Sequence, residues 1–437
     1  MRIAWFTAFS PRSGIAEFSR RVTPALARYA EVDIWTPDEP PLLETPLPVV
    51  SFEGEADLTG ALAGYDVAVY NLGNTLRSHR PIHRVSQRHP GIVIVHDRVL
   101  QPMFVAMWTR DDGSVDPVYV ERMAAYYGEA GERAARESLA GERPRVWESD
   151  DVADFPLVEE ALQRALGAVT HSAGHARDLR TRWLGPVAAL QLPAYADWLA
   201  AGALAGPSAP TRADGRIQLT TVGHVTSNKR CHEVVSLLAQ DAELAARTHY
   251  SVVGPFDDGN SYASELAALI GSQPHVSAEL LGWREEHELH ALMAASDIFV
   301  NLRSPVTESA PASLMAELAF GRPVLCFDEG AFGELPGDCV ERVPAGDLAA
   351  AASALRRLVD DADRRRAIGE NARRAAGAYT EASYAEAFMR FVVEVQRTAP
   401  GLVLLDRVAI ELGAAGADPA SGVFERIAAA LRPVLGP

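Results

Sequence analysis

The chain alternates between short apolar runs and longer stretches of helical period. In the first half, the runs at 2–7, 32–36, 67–70, 92–95 and 168–170 are rich in β-branched and aromatic residues. Their apolar character runs over consecutive residues rather than falling at every second position. Such a strand is covered on both faces, as in a parallel sheet with helices above and below. The stretches 16–29 and 119–139 carry the helical period between strands. This order of elements predicts a doubly wound α/β unit.

The pattern then begins again. From 200 to 216 the sequence AAGALAGPSAPTRADGR has the small-residue and proline composition of a linker. Beyond it, strands are predicted at 217–222, 250–253, 280–281, 298–301, 323–327 and 339–343, with helices at 233–246, 262–270, 289–295 and 313–320. The expected architecture is two Rossmann-like domains, 1–200 and 212–390, facing each other across a cleft. A helical tail, 391–437, is expected to pack back on the first domain. Ligands of open parallel sheets bind beyond the carboxyl ends of the strands, so the strand-to-helix loops are where chemistry is sought.

Composition narrows the functional classes. At 437 residues, 48% hydrophobic and 23% charged, the chain is an ordinary globular protein of two-domain length. Its 41 Lys+Arg against 58 Asp+Glu give a net charge of −17, which disfavours nucleic acid as a partner and leaves any anionic ligand to a local cationic spot. Cys231, Cys326 and Cys339 follow no metal-ligand spacing and suit a reducing compartment. The longest apolar neighbourhood, 187–204, is interrupted by Gln191, Pro193, Asp197 and Gly202 and is no membrane span. The N-terminus lacks the sustained apolar region of a signal peptide. The sequence reads as cytoplasmic, with loose membrane association left open and no basic face to make it strong.

Four loops carry candidate chemistry. After the first strand, Gly14 precedes a helix, where free N–H groups favour an anion; the loop is not the G-x-G-x-x-G of dinucleotide binders. His96 and Asp97 follow the strand 92–95, placing His96 to touch a substrate hydroxyl or carry a proton, although a structural histidine bonded to a backbone carbonyl fits the position somewhat better. Gly223 and His224 open the loop GHVTSNKR, which sets Lys229 and Arg230 at a helix N-terminus, a combination suited to a diphosphate. The stretch from Arg303 to Glu317 leads from a strand through a polar loop into a helix with Pro311 in its first turn. N–H groups near 309–312 would form an anion site there. Glu308 and Glu317 could accept hydrogen bonds from sugar and ribose hydroxyls, or serve only as a helix cap and a helix-surface residue.

Taken in order, MRIAWFTAFSPRSGIAEFSR, IVIVHD, AVTHS, GHVTSNKR, VVGPF, LLGW, ASDIFVNLRSP and ESAPASLMAELAFGRPVLCFDEGAFGELP resemble the GT-B glycosyltransferases, specifically the retaining, nucleotide-sugar-dependent family 4. The likeness runs from residue 1 to about 390. It implies that the C-terminal domain holds the nucleotide-sugar donor and that Lys229 neutralises its diphosphate. His224 stands where many relatives have Arg, with Arg230 or Arg303 as substitutes. The family's glutamate pair is separated by seven residues, whereas Glu308 and Glu317 have eight between them. Either a residue is inserted near Pro311, or one glutamate is not the equivalent.

Within that frame Lys229, Glu308 and His96 are the catalytic candidates. Gly14, Gly223, His224, Arg230, Trp283, Arg303, Ser309, Ala310, Pro311 and Glu317 are assigned to the donor, and Ser13, Asn74 and Asp97 to the acceptor side. No cofactor is expected. The one D-x-D, Asp361-Ala362-Asp363, sits in an Arg-rich helical stretch rather than after a strand, so no metal is expected either. The implied reaction is retaining transfer of a hexose to a hydroxyl acceptor. A non-catalytic protein of the same fold and a sugar-nucleotide epimerase are the rival readings.

Overall fold

Burial on both faces is what the continuous apolar runs dictate, and they become the central strands of two parallel sheets. A computed structural model describes residues 1–11, 13–53, 57–204, 212–256, 260–416, 422–423, 426–427 and 429–430. The chain divides into two compact units. The first comprises Met1–Leu190, Thr307–Ser309 and Ala382–Pro437, and the second Gln191–Val306 and Ala310–Glu381.

In the first unit the strands are β1 Arg2–Phe6, β2 Glu31–Thr36, β3 Val49–Ser51, β4 Val67–Leu72, β5 Ile92–Val95, β6 Gly167–Thr170 and β7 Val187–Ala189. They form one sheet in the order β3-β2-β1-β4-β5-β6-β7, with every neighbouring pair parallel. The sequence predicts five of these seven. The two it omits, β3 and β7, have three residues each. Ile3, Ala4, Trp5 and Phe6 are fully buried, as is all of β5. Burying each of the larger side chains is worth about 1.5–3 kcal/mol.

The second unit repeats the plan with β8 Ile217–Val222, β9 Thr248–Val253, β10 Ala278–Gly282, β11 Ile298–Asn301, β12 Val324–Phe327 and β13 Glu341–Val343. Their order is β10-β9-β8-β11-β12-β13, again all parallel. In both sheets the strand order reverses beside the first strand, between β1 and β4 and between β8 and β11. Doubly wound sheets bind ligands in the crevice at this reversal.

Two expectations are corrected, for the linker and for the helix at 233–246. The linker begins later than 200, because Ala196–Leu204 is helical; 205–211 lie outside the described residues. The helix predicted at 119–139 is Val118–Ala140, which ends at Gly141 in the left-handed region, and two 3-10 turns precede the short helix Val158–Leu162. The helix foreseen at 233–246 is two, Cys231–Gln240 and Ala242–Arg247, divided at Asp241, whose side chain caps the second.

Residues 382–437 fall with the first unit. The helix Glu381–Ala414 buries Tyr384, Phe388, Phe391, Val392 and Val395. Phe388 meets the Trp5 ring edge-on at 5.5 Å, and a Cβ on Gly167 would lie 2.4 Å from Val395 Cγ2, so a side chain at that strand position would have to displace Val395. Much of the sequence beyond 416 lies outside the described residues.

Candidate functional site

In the second unit the chemistry gathers at the β8/β11 reversal. Gly223, the residue after β8, has φ +105°. A Cβ on it would lie 2.5 Å from Lys229 Nζ and 3.9 Å from an Arg303 guanidinium nitrogen, so two cations converge where the glycine leaves room. Lys229 sits in the 3-10 turn Ser227–Lys229, is 3% exposed, and donates to the Val222 carbonyl at 2.8 Å. Arg303 is equally buried; its Nε donates to Asn301 Oδ1 at 3.0 Å and its Nη2 to Ser313 Oγ at 3.2 Å.

Glu317 completes this constellation. It lies inside the helix Ala312–Ala319, fully buried, where Asn301 Nδ2 donates to both carboxylate oxygens at 3.3 and 3.2 Å. Burial pushes its carboxyl up to about 7, against the opposing pull of Asn301, Arg303 and Lys229. It is therefore not an ordinary helix-surface glutamate. Arg230 is the N-cap of Cys231–Gln240, in the left-handed region, and its Nε donates to the Ser304 carbonyl at 2.7 Å. His224 is exposed. Of the three candidate companions of Lys229, Arg303 is buried, Arg230 half-buried and His224 exposed. Trp283, just after β10, is 38% exposed; Ala310 and Pro311 are buried, Pro311 as the helix N-cap rather than within the first turn.

The first unit holds the other candidates. Asp38 fixes the loop after β1: its carboxylate accepts from the Phe9 and Ser10 amides and the Ser78 hydroxyl at 2.7–2.9 Å. Burial opposes its charge, but these donors outweigh it and hold the carboxyl below its ordinary range. Ser13 caps the helix Gly14–Leu26, accepting from Ala16 N at 3.2 Å. Gly14 is exposed, and a Cβ there would meet nothing within 4 Å. Asn74 ties neighbouring loops together: its N–H donates to Asp97 Oδ2 at 2.9 Å and its Nδ2 to the Val99 carbonyl at 2.7 Å.

His96 follows β5 as the sequence places it, but both ring nitrogens are engaged internally, Nε2 with Asn71 Oδ1 at 2.9 Å and Nδ1 with His171 Nε2 at 3.3 Å. Burial, with His171 and His79 nearby, pushes its pKa well below the ordinary value. The ring is held rather than free, and the partners are side chains. Glu308 faces Asp97 in an isolated antiparallel bridge. Ser309 N–H donates to the His96 carbonyl at 2.9 Å, and its hydroxyl accepts from His171 N–H at 2.7 Å. The Ser309 N–H is therefore already used, which removes it from the expected anion site.

Sequence reasoning passed over Asn71, His171, Asn301 and Ser313. Asn301 and His171 were visible as polar residues at strand ends inside quoted motifs, but nothing local named their partners. Of the D-x-D, Asp361 caps the helix Ala362–Ala376 and Asp363 pairs with Arg366. Among the described residues, Asp197, Glu286 and His290 bring ligand-type atoms within 4.8 Å of one another, on helices rather than strand-end loops, with both carboxylates exposed. A cavity of about 440 Å³ lies in the first unit beside Trp183, Leu402 and Val408, at the amino-terminal ends of β5, β6 and β7 rather than at their carboxyl ends.

Residues 208–375 match the family described as glycosyl transferases group 1. The fold is similar to sucrose-phosphate synthase from Thermosynechococcus elongatus, at 17% identity and TM-score 0.59 over 90% of this chain and 99% of that one. It is similar also to Anabaena HepE, solved in complex with UDP-glucose, at 14% identity and TM-score 0.59 over 90% and 100%. A third likeness is to WaaG, a glycosyltransferase involved in lipopolysaccharide biosynthesis, at 16% identity and TM-score 0.57 over 90% and 99%. No curated protein sequence matches the chain. The buried cations at the β8/β11 reversal lie inside the segment 208–375 that matches the group 1 glycosyl transferases, and the fold of the chain is that of the GT-B glycosyltransferases it resembles.

Proposed function

We propose that the chain moves a hexose from a nucleoside-diphosphate sugar to a hydroxyl acceptor with retention of configuration, in the cytoplasm and without a metal. The observation that carries this reading is the convergence of buried Lys229 and Arg303 at Gly223. Departure of a nucleoside diphosphate builds negative charge on the leaving oxygens, and two fixed, desolvated cations stabilise that charge more than the ground state. Anabaena HepE, solved with UDP-glucose, supports a uridine donor as the first to try. Glu317, held by Asn301, is read as the acceptor of ribose hydroxyl hydrogen bonds. Retention follows from front-face attack, with the leaving phosphate taking the acceptor's hydroxyl proton, so no strong protein base is needed.

The test is a thermal-shift panel of UDP-, GDP-, ADP- and dTDP-sugars on the whole chain. A cognate donor at about 100 times its Kd stabilises the fold by about 2.7 kcal/mol, whereas the others leave the melting temperature unchanged. A non-catalytic nucleotide binder is the second reading, favoured by the solvent-exposed His224 and the glutamate spacing. It predicts the same thermal shift with no release of nucleoside diphosphate.

A further inference from the structure

In the first unit the outer nitrogen of each ring in the His96–His171 pair faces an oxygen that can only accept. Asn71 Nδ2 donates to the Phe6 carbonyl at 3.0 Å, which turns Asn71 Oδ1 toward His96 Nε2 at 2.9 Å. His171 Nδ1 stands 3.0 Å from the Leu190 carbonyl. Both outer nitrogens must therefore carry hydrogen. Two neutral imidazoles have no more than these two protons. The inner nitrogens, 3.3 Å apart, then confront each other as lone pairs, and one added proton turns the confrontation into an N–H···N bond. The rings are confined by Phe18, edge-on to His96 at 4.9 Å, and by Tyr384, 6.1 Å from His171.

We infer that His171 is a positioning residue for His96 and that the two rings hold one proton in common, taken up and released as a unit. The titratable and charged groups around the pair are His79, bonded to the Asn71 carbonyl, Asp97 and Glu308 in their bridge, Tyr384 from the last helix, and His175 with Arg98 beside it. Burial lowers the uptake below the ordinary histidine range, His171 to about 4. At neutral pH the network is one hydrogen bond short, and protonation completes it. The kinetic consequence rests on the transferase reading; the shared proton does not.

The experiment is nitrogen NMR of the whole chain labelled with [15N]histidine, from pH 8 to pH 4. The ring nitrogens of His96 and His171 are expected to shift together at one midpoint below 6.5, with one proton gained for two rings. In His171→Gln, checked for folding by its melting temperature, the His96 midpoint moves. Two rings titrating apart, or a His96 midpoint unmoved by His171→Gln, would overturn the shared proton. If His171→Gln does not fold, the wild-type titration decides alone. In sugar transfer, His171→Gln is expected to lower kcat roughly 10-fold or more with donor KM unchanged, because His96 loses the ring packed against it at 4.9 Å; an unchanged kcat contradicts the positioning role. If the wild-type chain transfers no sugar, the transferase reading fails while the titration still decides the proton.

Discussion

Asp97 and Glu308 face each other across an isolated antiparallel bridge, although 211 positions separate them in the chain, and both belong to the first unit. Burial, reinforced by the Glu308 charge, pushes the Asp97 carboxyl up to about 7. A carboxyl whose folded pKa lies above its unfolded value of about 4 holds its proton better in the folded state. Its stabilising effect is present below pH 4 and is lost as the pH rises through 7. Asp97→Asn keeps an acceptor for the Asn74 amide but cannot ionise. Relative to wild type, its melting temperature should be higher by roughly 2–4 °C at pH 8.5 and closer at pH 5.5. A difference independent of pH between those points would contradict the assignment.

Gly223 is the second pressure point. A methyl group there would enter the space of Lys229 Nζ at a backbone angle that side chains rarely adopt. Gly223→Ala should destabilise the fold by about 1–3 kcal/mol and lower kcat/KM for the donor roughly 100-fold. Loss of stability with full activity would mean that Lys229 does not need its present place.

The two glutamates should separate kinetically. Glu308 lies outside the helix, in the Asp97 bridge, while Glu317 is buried within it beside Asn301. Glu308→Ala is expected chiefly to lower kcat. Glu317→Ala should chiefly raise donor KM, by roughly 10- to 100-fold for hydrogen bonds to a charged group worth about 1.5–3 kcal/mol. Steady-state kinetics of both variants with the cognate donor checks this, and an unchanged KM in Glu317→Ala would reduce that residue to a structural role.

The fold was legible because its strands are buried on both faces. Ile92–Val95, Ile217–Val222 and Ile298–Asn301 are predicted residue for residue. Val49–Ser51 and Val187–Ala189 escape because a three-residue strand leaves no periodicity to read. At the site, Lys229 and Gly223 were visible from a loop after a strand. The burial of Arg303 beside Gly223 and Lys229 was not, since it depends on β8 and β11 being neighbours while β9 and β10 intervene in sequence. The His96–His171 contact spans 75 positions and has no local signature either.

Chelation bears on the expected independence from metal. On the proposed reading, the buried Lys229 and Arg303 together supply the two positive charges that a divalent ion would otherwise bring to a diphosphate. Initial rates should be unchanged, within about twofold, after EDTA treatment and on later addition of magnesium or manganese. Loss of activity on chelation with recovery on re-addition would contradict this and would direct attention to Asp197, Glu286 and His290.

The most direct measurement compares wild type with Lys229→Ala in sugar transfer, following nucleoside diphosphate release and the anomeric configuration of the product by NMR. Lys229 is buried at the strand-order reversal and converges with Arg303 on Gly223, so removing its charge should cost about 2–4 kcal/mol of transition-state stabilisation. The account predicts a glycoside with the donor's configuration and a kcat/KM lowered roughly 30- to 1,000-fold in a variant that remains folded. Wild-type kcat/KM in Lys229→Ala, with the same donor and the same product, would contradict it.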